Sequence, residues 1–214
     1  MNKISRTKTP WNKGLVAGQK LAFTIDEIAQ IEVSLLAREH WHDLALLSFG
    51  LDTMFRSSDL LATQVWQVTY QNGTIRSLIA RRQRKTRHIV HPVLTKPTKI
   101  YLKRWLEVSG KQPEDFVFTR TKAQNGAPIG RWRYAELVKN WAEWLDHDPN
   151  DYSSHSIRRS KPVHMYWQGE DIALISRLLG HKSISSTIEY LGITQAKAET
   201  AALRHPMMQG YTDK

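Results

Sequence analysis

Apolar residues recur at helical spacing along most of this chain, and the pattern breaks once, near residues 65–90. There it gives way to a strand–turn–strand texture around Asn72-Gly73, a strong hairpin signal. Thr24 with Glu27 forms a capping box, and Ile25, Ile28, Ile31, Leu35 and Leu36 follow at helical spacing. A second helix is expected over 41–53, and a short third one, capped by Ser57 and Ser58, through Leu61. Val65, Val68 and Tyr70 then read as one strand, Ile75 and Ile79 as its partner, and Ile89-Val90 as a third, with Lys85 in the loop before it. Helices are expected over 96–108, 131–145, 155–168, 171–179, 183–190 and 194–203, with a short extended piece at 116–118. Helices flanking such a sheet define an α+β fold, mostly helical with a small three-stranded antiparallel sheet. Residues 1–22 read as a basic arm or linker, and 23–214 as one domain.

The charge is lopsided. The formal net charge is +11, and no acidic residue lies between Asp59 and Glu107, a stretch that holds ten lysines and arginines. A basic stripe on one segment suits a polyanion, and Arg76, Arg81, Arg82, Arg84 and Arg87 are the expected contacts to double-stranded DNA. The bland alternative is a solvated basic face. The chain contains no cysteine, which excludes disulfides, thiolate zinc sites and cysteine nucleophiles and suits the reducing cytoplasm. No apolar run approaches the roughly 20 residues of a membrane span, and residues 1–8 lack an apolar signal core.

Six side chains stand out for their chemistry. His155 and Arg158, three apart on a helix, face the same way and can converge on one phosphate. Gly180 suits the end of a helix, which leaves His181 at a turn. Tyr190 follows nine positions later. Arg56 lies where Met54-Phe55 gives way to Ser57-Ser58-Asp59, with Asp59 as a possible ion-pair partner, and Lys85 is one base among many. Each has an ordinary alternative: a surface histidine, a helix-closing histidine, a packed aromatic, a solvated base. Together they supply the cations, imidazoles and phenol needed to attack a phosphodiester without a metal.

The order of these residues resembles that of the tyrosine recombinases, the phage-integrase type. Leu51 to Leu60 resembles the box of the first arginine, Arg56. Arg84-Lys85-Thr86 resembles the Lys-Thr of the family's hairpin loop, His155-Ser156-Ile157-Arg158 its His-x-x-Arg box, and Leu178-Leu179-Gly180-His181 through Tyr190 its Leu-Gly-His box and tyrosine. The arm Thr9-Pro10-Trp11-Asn12-Lys13-Gly14 is similar to that of short integrases on bacterial plasmids and genomic islands. The resemblance implies a site-specific recombinase that cuts and rejoins DNA through a 3′-phosphotyrosine. Arg56 and Arg158 would hold the phosphate, assisted by His155 and His181; Lys85 would act as general acid and Tyr190 as nucleophile, with no cofactor or metal. It also implies a homotetramer on paired DNA sites, with residues 194–214 docking on a neighbour. Only about twenty residues precede the catalytic part, too few for the family's usual core-binding domain, which leaves room for an accessory DNA-bending protein. Pro162 is expected to kink or restart the helix after Arg158. The competing readings are a type IB topoisomerase, a regulator that keeps the fold without catalysis, and a metal-dependent nuclease, which would need clustered carboxylates.

Overall fold

A computed structural model describes residues 18–119 and 126–205. Most of the expected arm (1–17) and the end of the expected docking tail (206–214) lie outside the described residues. Helix α1, Ile25–Ala37, opens on the anticipated capping box: the Thr24 hydroxyl accepts from the Glu27 amide at 3.2 Å, and the Glu27 carboxylate accepts from the Thr24 amide at 2.7 Å. Helix α2, Trp41–Thr53, is apolar nearly all round and runs through the centre, packed on α1 and on the later helices α5, Lys96–Ser109, and α7, Ser154–Trp167. Gly50 is required where α2 meets α7, since a Cβ there would lie 2.8 Å from the Ile157 side chain.

The expected third helix is α3, Ser57–Leu60, but Arg56 occupies the cap position, so Ser57 and Ser58 begin the helix instead of capping it. The expected first strand is not one. Val65–Val68 forms a helical turn, α4, because the Gln64 and Gln67 side chains make a capping box that overrides the strand preference of the valines. The sheet therefore has two strands, not three. β1 (Arg81–Arg82) pairs antiparallel with β2 (Ile89–Val90), Arg81 opposite Val90. The Asn72-Gly73 turn does form, with Gly73 at φ 79°, but its arms meet only at the Thr69–Ile75 pair. A further single pair, Leu78 with Val93, extends the β1–β2 hairpin beyond Pro92. Pro92 accepts from the Ile79 amide at 3.2 Å but has no N–H to return, so the ladder is interrupted there.

Helix α5 (Lys96–Ser109), α6 (Arg131–Glu143), a 3-10 turn at Pro149–Asp151, α7 (Ser154–Trp167), α8 (Ile172–Leu179), α9 (Ile184–Leu191) and α10 (Gln195–Arg204) complete the described residues. Helix α7 contains Pro162 and neither stops nor restarts there. The turn is held from both sides: the Ser160 hydroxyl donates to the Ser156 carbonyl at 2.9 Å, and Lys161 bridges to buried Asp52 at 2.9 Å. The other Asp52 oxygen accepts from the Thr95 amide and from the Thr95 and Thr98 hydroxyls, which ties α2, α5 and α7 together.

Two apolar clusters result. The larger gathers Phe49, Phe118, Tyr134, Trp141 and Ile157 around α2. The smaller consists of Met54, Ile175, Leu179 and Leu191, with Tyr190 packed against it. Among the described residues no helix is long and apolar enough to cross a membrane.

Candidate active site

The site forms where the end of α2, the β1–β2 turn and helices α7, α8 and α9 meet. Helix α2 ends at Met54, which adopts a left-handed conformation (φ 49°) uncommon outside glycine. That bend sends the chain into Arg56 and turns the Met54 carbonyl toward α7. There it accepts from Arg158 Nη1. Arg158 Nη2 donates to the Leu179 carbonyl, at the end of α8, over 3.1 Å. Helix α8 closes on Gly180 at φ 65°. Buried Arg158 thus pins two chain ends while its guanidinium carbon sits 5.9 Å from the centre of the Tyr190 ring.

Past Gly180 the chain turns at His181, and Ser183 caps α9 through the Ser186 amide. His181 Nδ1 pairs with the buried Thr187 hydroxyl at 2.9 Å, and its ring meets the Tyr190 ring edge-on, with centroids 5.4 Å apart. Arg159 stacks on the same tyrosine at 5.9 Å and donates to the Lys20 carbonyl. Gln19 donates to the carbonyls of Glu189 (3.1 Å) and Tyr190 (2.7 Å), so the segment entering the fold straps the end of α9.

Electrostatics set the protonation states. The Tyr190 hydroxyl is buried, and among the described residues only the Arg158 guanidinium approaches its oxygen, without a well-aligned hydrogen bond. Burial pushes its pKa up to about 12, against the opposing pull of Arg158, Arg159 and Arg56. The phenol is therefore protonated at neutral pH. Burial, then Arg158 and Arg56, hold His181 down at about 4. His155 is open on one edge yet loses enough hydration, with Arg158, Arg56 and Lys85 close by, to lie below the ordinary imidazole value. Burial also lowers Arg158, to about 10, which leaves it charged. At neutral pH both imidazoles are therefore neutral and Arg158 is charged.

All six residues singled out for their chemistry converge here. Lys85 is exposed in the β1–β2 turn, near enough to His155 to act on it. Arg56 donates to the Gln83 side chain at 2.7 Å, and among the described residues it makes no ion pair with Asp59, whose carboxylate instead accepts from the Arg84 amide at 3.0 Å. The expected DNA contacts divide. Arg82, Arg84 and Arg87 are exposed around the turn. Arg81 is half-buried and donates to Gln67 and to the Asp59 carbonyl, and Arg76 donates to the Thr69 carbonyl and stacks on Tyr70. Sequence reasoning missed Gln83, Thr187, Gln19 and the two anchoring carbonyls. The one available signal was Gln83 itself, an uncharged position within a run of bases. Among the described residues no three His, Cys, Asp or Glu residues lie grouped as metal ligands would.

The fold and this cluster are those of a tyrosine recombinase catalytic domain. The chain belongs to the phage integrase family, whose model matches residues 23–197. It is 27% identical over 181 residues to the tyrosine recombinase XerC of Herpetosiphon aurantiacus, covering 81% of this chain and 55% of that protein. A probable integrase/recombinase of Bacillus subtilis, YoeC, is 23% identical over 178 residues, covering 83% of this chain and 92% of its own length. The XerH site-specific recombinase, solved bound to palindromic difH substrate in a post-cleavage complex, superposes with a TM-score of 0.67 at 20% identity, covering 87% of this chain and 54% of that one. The chain thus spans about half the length of the XerC relative and of XerH.

Proposed function

We propose that the protein is a site-specific DNA recombinase that breaks and rejoins DNA through a 3′-phosphotyrosine on Tyr190. One observation carries this reading: a buried phenol enclosed by Arg158, Arg159 and neutral His181. In the proposed reaction the scissile phosphate enters between Arg56 and Arg158, whose guanidinium groups stabilise the charge that grows on its oxygens. The Tyr190 oxygen forms a bond to phosphorus as the bond from phosphorus to the 5′ oxygen breaks. The phenol proton passes to a neutral imidazole; His181 is the ring in contact, and His155 shares the phosphate with Lys85. Lys85 gives its proton to the 5′ oxygen. The phosphotyrosine retains the energy of the broken bond, so a second strand's 5′ hydroxyl reverses the steps without ATP.

DNA is the proposed partner, engaged along Arg82, Arg84 and Arg87. Recombination joins two sites, so the working form is proposed to be a homotetramer on paired DNA, with the segment 194–214 docking on a neighbour and an accessory DNA-bending protein completing the complex. Residues 23–214 are read as the catalytic domain and residues 1–22 as an arm.

The test is trapping on a suicide substrate nicked beside a candidate site, followed by denaturing electrophoresis. A covalent adduct that forms in excess EDTA and is absent from Tyr190→Phe supports the reading. Cleavage that requires added magnesium and survives Tyr190→Phe overturns it in favour of a nuclease. Adduct formation accompanied by relaxation of plasmids lacking any paired site would favour the topoisomerase chemistry instead.

A further inference from the structure

Gln83 is the only uncharged residue in the run Arg81-Arg82-Gln83-Arg84-Lys85, and its side chain is 1% exposed while Arg82, Arg84 and Lys85 face solvent. Burying an amide is costly unless its polar atoms are partnered. Here both are. The Gln83 oxygen accepts from Arg56 Nη1 at 2.7 Å and from the Thr86 hydroxyl at 2.7 Å. Its nitrogen donates to the Leu179 carbonyl at 2.9 Å, the same carbonyl that holds Arg158 Nη2. Its backbone closes the turn around Lys85, with the Gln83 amide donating to His88 and the Gln83 carbonyl accepting from Arg87. Gly180 leaves room for it, because a Cβ there would stand 2.8 Å from the Gln83 nitrogen.

We propose that Gln83 is the positioning residue that fixes the relative placement of Arg56, Arg158 and the Lys85 turn. The inference rests on the recombinase reading above. Its basis is connectivity: one amide joins the residue that would hold the phosphate, the backbone acceptor that orients the second arginine, and, through Thr86, the neighbour of the proposed acid. An arginine has five donors, and a fixed acceptor on Nη1 leaves the others in one orientation. The turn is otherwise exposed and short, so Lys85 depends on this strut to return to the same point. Gln83 does not touch the reacting atoms in this account; it acts through the three groups that do.

The experiment compares Gln83→Met, which keeps the length and volume but makes none of the bonds, with Thr86→Val, which removes only the bond toward the Lys85 turn. Each is tested in the full chain for DNA binding, for thermal unfolding, and for adduct formation on two suicide substrates, one ordinary and one with a 5′-phosphorothiolate leaving group that needs no acid. Gln83→Met should bind DNA as the unmodified protein does and form adduct on the order of 100-fold more slowly, the usual consequence of a misplacement near 1 Å. The phosphorothiolate should recover only part of that loss, since Arg56 and Arg158 remain loose. Thr86→Val should lose about 5- to 10-fold on the ordinary substrate and be fully rescued by the phosphorothiolate. That split between partial and full rescue is what a merely structural role would not produce. If Gln83→Met fails to fold, the Thr86→Val rescue decides alone. Adduct formation by Gln83→Met within about threefold of normal, or a Thr86→Val loss that the phosphorothiolate does not rescue, overturns the proposal while leaving the recombinase reading intact. An unmodified protein that forms no Tyr190-dependent adduct overturns both.

Discussion

Tyr190 shows how a single atom can separate function from stability. Its hydroxyl is buried beside Arg158 without a well-aligned hydrogen bond, and leaving a buried neutral group unsatisfied costs about 1–3 kcal/mol. Tyr190→Phe should therefore melt at the same temperature as the unmodified protein or higher, although it forms no adduct. A drop of several degrees on calorimetry would mean that the hydroxyl has a partner. Arg158 is the opposite case. Its two bonds to the Met54 and Leu179 carbonyls give it a structural role beside the proposed catalytic one. Arg158→Lys should lose cleavage and about 1–3 kcal/mol of stability together, because a lysine cannot satisfy both carbonyls in that geometry. Chemical denaturation that finds no loss would mean that the carbonyls are satisfied otherwise. His181 adds a pH dependence. Its folded pKa of about 4 is depressed below the ordinary value of 6.5, so the unfolded chain binds the extra proton between those limits. The contribution is complete above pH 6.5 and is lost as pH falls toward 4. The stability gap between the unmodified protein and His181→Asn should be flat above pH 7 and shift in favour of the variant below it. A gap that stays constant from pH 7.5 to 4.5 would show that His181 is not held neutral.

Among the elements, the joint between α8 and the turn to α9 is the most constrained. Gly180 is left-handed at φ 65°, and a Cβ would press on both Gln83 and Val90 at 2.8 Å. Gly180→Ala should destabilise the protein by about 2–4 kcal/mol, combining left-handed strain with overpacking, which a urea titration would read directly. This joint was legible in sequence, since a glycine ahead of a histidine between two apolar periods is a helix-end signal. So were the helices, because caps and periodicity are local: α2 spans 41–53 as expected. What failed was the strand reading of Val65 and Val68. Single-residue preference pointed to a strand, while the capping glutamines Gln64 and Gln67 decided otherwise. The six chemical side chains could be named from their order alone. Their supports could not. Backbone carbonyls carry no sequence signature, and the Gln83–Leu179 bond joins residues 96 positions apart.

Across the whole molecule, the excess positive charge is not evenly available. Arg82, Arg84 and Arg87 project from the hairpin turn, whereas Arg81 is consumed by Gln67 and the Asp59 carbonyl. Replacing the three exposed arginines together should flatten the dependence of log K on log salt by about 2.7, at roughly 0.9 per phosphate contact, with equal losses on specific and random duplexes. Arg81→Ala should instead lower the unfolding free energy and leave that slope nearly unchanged. Filter binding across a salt series, with melting curves alongside, separates the two. The reverse pattern would relocate the DNA face.

The strap from Gln19 to α9 has a consequence for the order of events in the chain. Its bond to Tyr190 joins residues 171 positions apart, the kind of contact that carries a large ordering cost and is expected after local structure has formed. The eight-residue helix that bears Tyr190 is thus clasped by a contact of very long range in the chain, one expected to form late. Gly18, the first described residue, adjoins that clasp. A tag or fused protein joined directly ahead of it would begin beside the proposed nucleophile.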